Sequence, residues 1–340
     1  MRALVCHAYG PIEALKIEDI PTPRPKAGEV LIRVGATGVS FAAMLGVQGK
    51  HQNKPPLPYV PGNEIAGHVV EVGPGVTNVK VGQRVTTGVS QGGFAEYAVA
   101  IAANVITIPE IMPYAQATNF PTLYPTAYGA LKWKADMKPG EVLLVHGAGG
   151  GSGLTGIEVG KAMGAVVIAS AGGADKLEAA RDAGADHLID YRKEDLRARV
   201  LEITGGRGAD VIYDPVGGSA FDVSLRCIAP EGRLIPMGFA SGTIPQIPAN
   251  ILLVKNVTVI GFYYGYWNGW GGKNEPSPKE AAALAKRRAM VADAQRELMH
   301  WFTEGKLRAT IAGSFDLGDW VEAFKLIEQR TVVGKAVLVP

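Results

Sequence analysis

The sequence predicts an α/β protein in which a doubly wound parallel sheet is inserted into a β-rich domain built from both ends of the chain. Three observations carry this expectation. Residues 142–159 read VLLVHGAGGGSGLTGIEV, an order of strand, glycine turn and helix. Beyond them, short apolar runs alternate with helical patterns. Before them, up to about Pro121, Val- and Ile-rich runs are separated by Gly and Pro.

In the first region GEVLIRVGATGVS, EIAGHVVEVG and AEYAVAIAANVITIP read as strands. The connectors TPRPKAGE, NKPPLPYVPGNE and GPGVTNVKVGQRV carry turn residues, so a barrel-like sheet is expected. Near Pro121 the pattern changes, and TLYPTAYGALKWKAD suits a helix. VLLVHG is the first parallel strand, and Leu154 with Ile157, then Val159 with Met163, stand at helical spacings after it. AVVIAS is the second strand and ADKLEAARDAG its helix, with Asp175 read as an N-cap and Gly184 as a C-terminal cap. HLIDY, ADVIYDPVG, GRLIPMGF and NVTVIGFYYG supply further strands, with VSLRCIAP helical. KEAAALAKRRAMVADAQRELMHWFTEG is a long helix, and KAVLVP returns to the first domain as an edge or barrel strand. The expected domains are 1–122 with 266–340, and 123–265.

Composition narrows the function classes. With 340 residues, 47% of them hydrophobic, the chain holds enough apolar material for two cores. A net charge of +2 without a basic block argues against nucleic acid or an anionic membrane as partner. Cys6 and Cys227 are too few for a disulfide framework, which fits a reducing cytosol. The N-terminus lacks the apolar core of a signal peptide, and no run reaches the ~20 apolar residues of a membrane span. A soluble cytoplasmic protein is expected.

The glycine turn carries the chemistry. Gly147, Gly150, Gly151 and Gly153 let the backbone turn tightly and approach a pyrophosphate with no Cβ in the way. N–H groups at the start of the next helix then meet the phosphates. The match is A-x-G-x-x-G from Ala148, in the strand–turn–helix context that a dinucleotide fingerprint requires. The bland alternative is a flexible loop. An enzyme that discriminates for the unphosphorylated dinucleotide places an acid at the end of the second strand. Here that strand ends Ile168-Ala169-Ser170-Ala171, and the Ser170 hydroxyl is able to donate to a 2′-phosphate that a carboxylate would repel. Asp175, in the next helix start, is the competing signal as well as the N-cap candidate.

The segments GVSFAAMLGVQGKHQNKPPLPYVPGNEIAGHVVEVGPGV, NFPTLYPTAYGAL, VLLVHGAGGGSG, KLEAARDAGADHLIDYR, GADVIYDPVGG and TVVGKAVLVP, in this order, resemble the zinc-free quinone oxidoreductases of the medium-chain dehydrogenase/reductase superfamily, the group that includes zeta-crystallin. The resemblance implies a GroES-like catalytic domain, a Rossmann domain, a cofactor cleft between them and a homodimer. It places Phe41 and Thr126 beside the nicotinamide, and Gly150, Gly151 and Ser152 at the pyrophosphate. Lys176 and Tyr191 fall on the 2′-phosphate; the alternatives are a solvated helix charge and a packing residue. Gly238 with Phe239, and Gly261 with Phe262, match strand ends whose backbone flanks the nicotinamide ring. The implied cofactor is NADPH.

By the same resemblance, the zinc ligands of the related alcohol dehydrogenases would fall at Ser40, Asn63 and Thr122, none of them Cys or His, so no metal is expected. Without a metal, quinones and enones are favoured over simple alcohols, because their product anions are delocalised. Tyr59 and Tyr124 are candidates to donate to a substrate carbonyl oxygen, against the alternative of core aromatics with satisfied hydroxyls. Many family members carry Asn and Asp where this chain has Ser40 and Ala43, which leaves a proton relay there in doubt. The aromatic run Phe262 to Trp270 fits either an apolar wall for a flat ring or an interface. Two other functions stay open. One is a reductase of acrylate-type acids or enoyl-CoA thioesters, with Lys50, Lys54, Arg287 or Arg288 at the cleft mouth. The other is a non-enzymatic, crystallin-like NADPH-binding protein.

Overall fold

The computed structural model describes residues 1–52, 54–269 and 277–340. The chain divides into two compact units, Met1–Thr122 with Ala309–Pro340, and Leu123–Arg308.

The first unit opens with β1 (Arg2–Val5) and β2 (Lys16–Asp19), paired antiparallel. Then come β3 (Glu29–Val39), α1 (Phe41–Val47), β4 (Glu64–Val72), β5 (Arg84–Gly88), β6 (Tyr97–Ile101), β7 (Ile106–Thr107) and α2 (Tyr114–Ala117). Alternation puts Val30, Ile32 and Val34 of β3 against Ile65, Val69 and Val85, all buried in one cluster.

The second unit begins with α3 (Leu123–Tyr128), which widens into a π-helical turn over Gly129–Lys134. Gly129 permits the close packing there, since a methyl on it would meet Phe262 at 2.5 Å and Trp133 at 2.8 Å. Strand and helix then alternate: β8 (Val142–His146), α4 (Gly151–Ala162), β9 (Val166–Ala171), α5 (Ala174–Asp182), β10 (His187–Asp190), α6 (Leu196–Ile203), β11 (Ala209–Asp214), α7 (Ser219–Cys227) and β12 (Ile228–Pro236). After α8 (Ala249–Lys255), the run NVTVIGFYYG holds only a two-residue strand, β13 (Thr258–Val259). Its aromatic end turns into α9 (Tyr264–Trp267), and α10 (Pro278–Thr303) follows with a Ser277–Glu280 capping box. The strands lie in the order β10-β9-β8-β11-β12-β13 and all pair parallel. The order reverses between β8 and β11, the switch point at which open α/β sheets bind ligands.

The return to the first unit comes at Ala309, not at residue 266 as the sequence suggested. The reason is the packing of α10. Its Trp301 ring lies 5.8 Å from that of Tyr128, and Glu297 accepts from the Tyr128 hydroxyl and pairs with Lys132 at 3.0 Å. These contacts bind the helix to α3 of the second unit.

The chain closes the first unit with β14 (Ile311–Asp316), α11 (Trp320–Glu328) and β15 (Lys335–Val339). KAVLVP is no edge: β15 lies between β14 and β3 in the order β14-β15-β3-β4-β5-β7, with β6 on the other part of β3. Lys335 is buried in this sheet, where its Nζ pairs with Glu64 at 2.6 Å and donates to the Thr118 carbonyl at 2.8 Å.

Candidate functional site

The glycine turn leaves β8 through Gly147, whose φ of +58° lies in the left-handed region. Gly150 is the N-cap of α4 and offers no side-chain cap, so the first N–H groups of a twelve-residue helix stay open at the switch point. Gly153 admits no larger residue, because a methyl there would collide with the Gly147 carbonyl oxygen. Ser152 hydrogen-bonds through Oγ to the Tyr213 hydroxyl at 3.0 Å, which ties the helix start to β11. Burial pushes that phenol up to about 12, so it stays neutral.

Two side chains behind the turn were not singled out from the sequence. His146 is buried, and its Nε2 lies 2.7 Å from Ser224 Oγ. The Ser224 proton is directed to the Ala220 carbonyl at 2.8 Å, so the imidazole is the donor and carries its hydrogen on Nε2. Burial holds this histidine below its ordinary pKa, opposed by the nearby Asp214 charge. Asp214 Oδ1 accepts from the N–H groups of Val216 and Gly217 at 2.8 and 3.0 Å. It thereby fixes the loop whose Val216 side chain lies against Gly147. A polar residue at the end of each central strand was the available signal.

The second strand ends as read: Ser170 is buried and no acid stands on its last residues. Gly173, at φ +106°, is the N-cap of α5 and again provides no side-chain cap. Asp175 lies within the first turn and is not the N-cap, because the positive φ that begins the helix falls on the glycine. The stem of Lys176 lies along the glycine turn, where a methyl on Gly149 would meet its Cβ at 2.5 Å. Tyr191 is half exposed and its hydroxyl lies over Gly172, 2.8 Å from where a methyl would be. The structure thus gathers Gly150, Gly151, Ser152, Lys176 and Tyr191 around the exits of two adjacent strands, β8 and β9. These bare helix starts fit a dinucleotide, with room for its phosphates where any Cβ would intrude.

The remaining expected residues are more dispersed. In the second unit Thr126 is half-buried on α3. Phe239 leans toward Gly217, while Phe262 packs toward Gly129 and lies 6.0 Å from the Trp267 ring. Gly238 lies on the loop after β12 and Gly261 on the loop after β13. In the first unit Phe41 is exposed at the start of α1, where Ser40 Oγ accepts from Ala43 N–H at 3.1 Å. Tyr59 is buried in the core with Leu4, Met44 and Phe94, its hydroxyl beside Cys6, and burial raises its pKa.

Tyr124 requires a correction. It is fully buried, and its hydroxyl donates to Glu158 Oε2 at 2.5 Å, so it is a core residue rather than a substrate donor. The aromatic segment also divides. Trp267 stacks on Trp133 at 4.7 Å and 15° and Tyr264 is buried, whereas Tyr263 and Tyr266 face outward. Much of the run therefore packs inside the second unit; Trp270 lies outside the described residues.

The positions that would hold catalytic zinc are chemically unsuited to it. Ser40 caps a helix, and Asn63 donates its amide hydrogens to the carbonyls of Val89 and Ser90. Neither these nor Thr122 is a sulfur or imidazole donor.

A doubly wound parallel sheet with an uncapped glycine turn at its switch point defines a dinucleotide-binding domain, here joined to a β-rich unit. Comparison with known proteins specifies the class. The alcohol dehydrogenase GroES-like domain family matches residues 26–110, and the zinc-binding dehydrogenase family matches residues 151–275. The chain is 38% identical over 340 residues to a quinone oxidoreductase-like protein 2 homolog of Nematostella vectensis, covering 99% of this chain and 88% of that one. It is 36% identical over 326 residues to quinone oxidoreductase-like protein 2 of Bos taurus, covering 95% and 88%. Among solved structures, Escherichia coli quinone oxidoreductase complexed with NADPH matches with a TM-score of 0.87 and 29% identity over the whole of both chains. The chain belongs to the quinone oxidoreductase-like branch of the medium-chain dehydrogenase/reductase superfamily and is an oxidoreductase.

Proposed function

We propose that the protein is an NADPH-dependent reductase of quinones or activated enones that works without zinc. The carrying observation is the pair of bare helix starts at Gly150 and Gly173, flanked by Lys176 and Tyr191 and free of any acid at the end of β9. The NADPH complex of the Escherichia coli relative supports the choice of cofactor. Gly150, Gly151 and Ser152 hold the pyrophosphate by backbone N–H groups, and Ser170, Lys176 and Tyr191 hold the 2′-phosphate. In the second unit Thr126, Gly238, Phe239, Gly261 and Phe262 border the nicotinamide. When the cofactor is bound, the chemistry supplied is hydride transfer from C4 of the reduced ring.

Tyr59 is the remaining proton-donor candidate. Burial raises its pKa, so the phenol stays protonated beside Cys6. If Tyr59→Phe leaves kcat/KM unchanged, that role is lost. We also propose a homodimer. The sheet ends at the two-residue strand β13, and Leu253 and Val254 of the adjoining α8 are strongly exposed, with Ile244 and Ile247 nearby in the chain. Such a face suits a second copy. A monomeric mass by analytical ultracentrifugation would remove this part. Among the described residues no helix is long and apolar enough to cross a membrane, and two buried free cysteines fit a cytoplasmic location.

The test is a steady-state panel of quinones, enones, acrylates and acyl-CoA thioesters with NADPH and NADH. The reading expects turnover of quinones or enones and a higher kcat/KM for NADPH. Equal values or an NADH preference overturn the cofactor assignment. Preference for acyl-CoA substrates, or tight binding without turnover, replaces the substrate assignment.

A further inference from the structure

We propose that Arg192 is the specificity determinant for the phosphorylated dinucleotide, its guanidinium closing on the 2′-phosphate from the neighbouring strand β10. The inference rests on the NADPH reading above and adds a residue to it.

The placement follows from register. Asp190 at the end of β10 pairs with Ala171 at the end of β9, so Tyr191 and Arg192 emerge beside Gly172 and Gly173. Gly172 is the enabling residue. A methyl on it would lie 2.6 Å from Arg192 Nε and 2.8 Å from the Tyr191 oxygen. With hydrogen there instead, phenol and guanidinium converge on bare backbone, next to the uncapped start of the nine-residue helix α5. A methyl on Gly173 would lie 3.8 Å from one terminal nitrogen of the same arginine. The guanidinium therefore rests across the exit of the second strand.

The backbone of Arg192 is held in place. Its N–H donates to Asp190 Oδ1 at 3.1 Å, and the Asp190 N–H donates to Glu194 Oε1 at 3.0 Å. The acids around it are engaged elsewhere: Glu194 pairs with Arg199 at 2.9 Å, and Asp190 faces Lys193 at 3.7 Å. Among the described residues, no carboxylate lies within ion-pair distance of the Arg192 guanidinium. Asp175, exposed in the first turn of α5, is the one acid on that helix start.

A planar fork of donors is suited to a phosphate, which it grips through two parallel hydrogen bonds. In the usual arrangement the discriminating side chain stands on the second strand. Here Ala171 and Gly172 have no side chain able to do so, and the adjacent edge strand delivers it across the gap they leave. NADH would leave the cation facing water, with no loss and no gain.

The experiment measures equilibrium binding of NADPH and NADH by nicotinamide fluorescence, and of 2′,5′-ADP and 5′-AMP by calorimetry. It compares wild type, Arg192→Gln and Arg192→Lys. The glutamine variant is expected to weaken NADPH and 2′,5′-ADP by roughly 10- to 100-fold. NADH and 5′-AMP are expected to change by less than about 2-fold, and the lysine variant to fall between. Equal weakening of both dinucleotides, or unchanged NADPH binding, overturns the role of Arg192 while leaving the cofactor assignment in place. A wild-type protein that fails to distinguish 2′,5′-ADP from 5′-AMP overturns both.

Discussion

Two kinds of helix start occur in this molecule. α1, α6 and α10 begin on Ser40, Asp195 and Ser277, whose side chains accept from the N–H groups of Ala43, Ala198 and Glu280. α4 and α5 begin on Gly150 and Gly173, with no side chain to accept from theirs. A capped start satisfies its donors internally and contributes stability. A bare start beside the switch point keeps its donors for an anion. The tyrosines divide similarly: the Tyr124 hydroxyl is engaged by Glu158, while that of Tyr191 lies open over Gly172. Partnered groups hold the fold together, and the open donors at the exits of β8 and β9 are the ones placed for a ligand. α2, α8 and α11 also start without a side-chain cap, so a bare start alone does not mark the site.

If that division holds, partnered groups change stability and open groups change binding. The largest effect is expected from Lys335→Met. It leaves Glu64 charged and buried, at a cost of about 3–5 kcal/mol in urea unfolding. An unaltered midpoint would show that the pair contributes nothing. Gly153→Val is expected to force the turn apart and weaken NADPH by roughly 100-fold, about 2.7 kcal/mol, with the cofactor Kd as the measurement. If affinity survives, the tight approach at Gly153 is irrelevant to the phosphates.

Tyr124→Phe removes a hydrogen bond to a buried carboxylate and should lower stability by about 2 kcal/mol, while kcat/KM stays within about 2-fold. A large loss of activity at unchanged stability would return Tyr124 to the site. The smallest effect concerns acid. His146 has a native pKa below its ordinary 6.5, so the unfolded chain binds the extra proton first. Its contribution is intact above pH 6.5 and is lost as pH falls below it toward the depressed native value, by at most about 1.4 kcal/mol per pH unit. Unfolding at pH 5 and 7.5 should therefore show a shallower pH dependence in His146→Gln than in the wild type.

Local sequence carried the glycine turn well. A glycine turn between an apolar run and a helical pattern is a backbone device, and its signature is contiguous from Val142 to Val159. Ser170 ends the second strand as its segment suggests, while Lys176 and Tyr191, pointed to by the family resemblance, lie at the start of α5 and just after β10. Arg192 was passed over because nothing within its own segment marks it. Its position over Gly172 exists only once β10 pairs with β9. The aromatic run 262–267 was ambiguous for a related reason, since identical ring chemistry serves a pocket, an interface or a core.

By itself, the sequence determined the alternation of strands and helices, the glycine turn and the absence of an acid on the last residues of the second strand. These are properties of neighbouring residues, set by φ, by periodicity and by charge. Tertiary structure decided which hydroxyls are engaged, that α10 belongs with α3, and that an arginine just past the end of β10 rests on a glycine just past the end of β9. Such facts join residues far apart in the chain, and no local preference encodes a partner that only folding brings within reach.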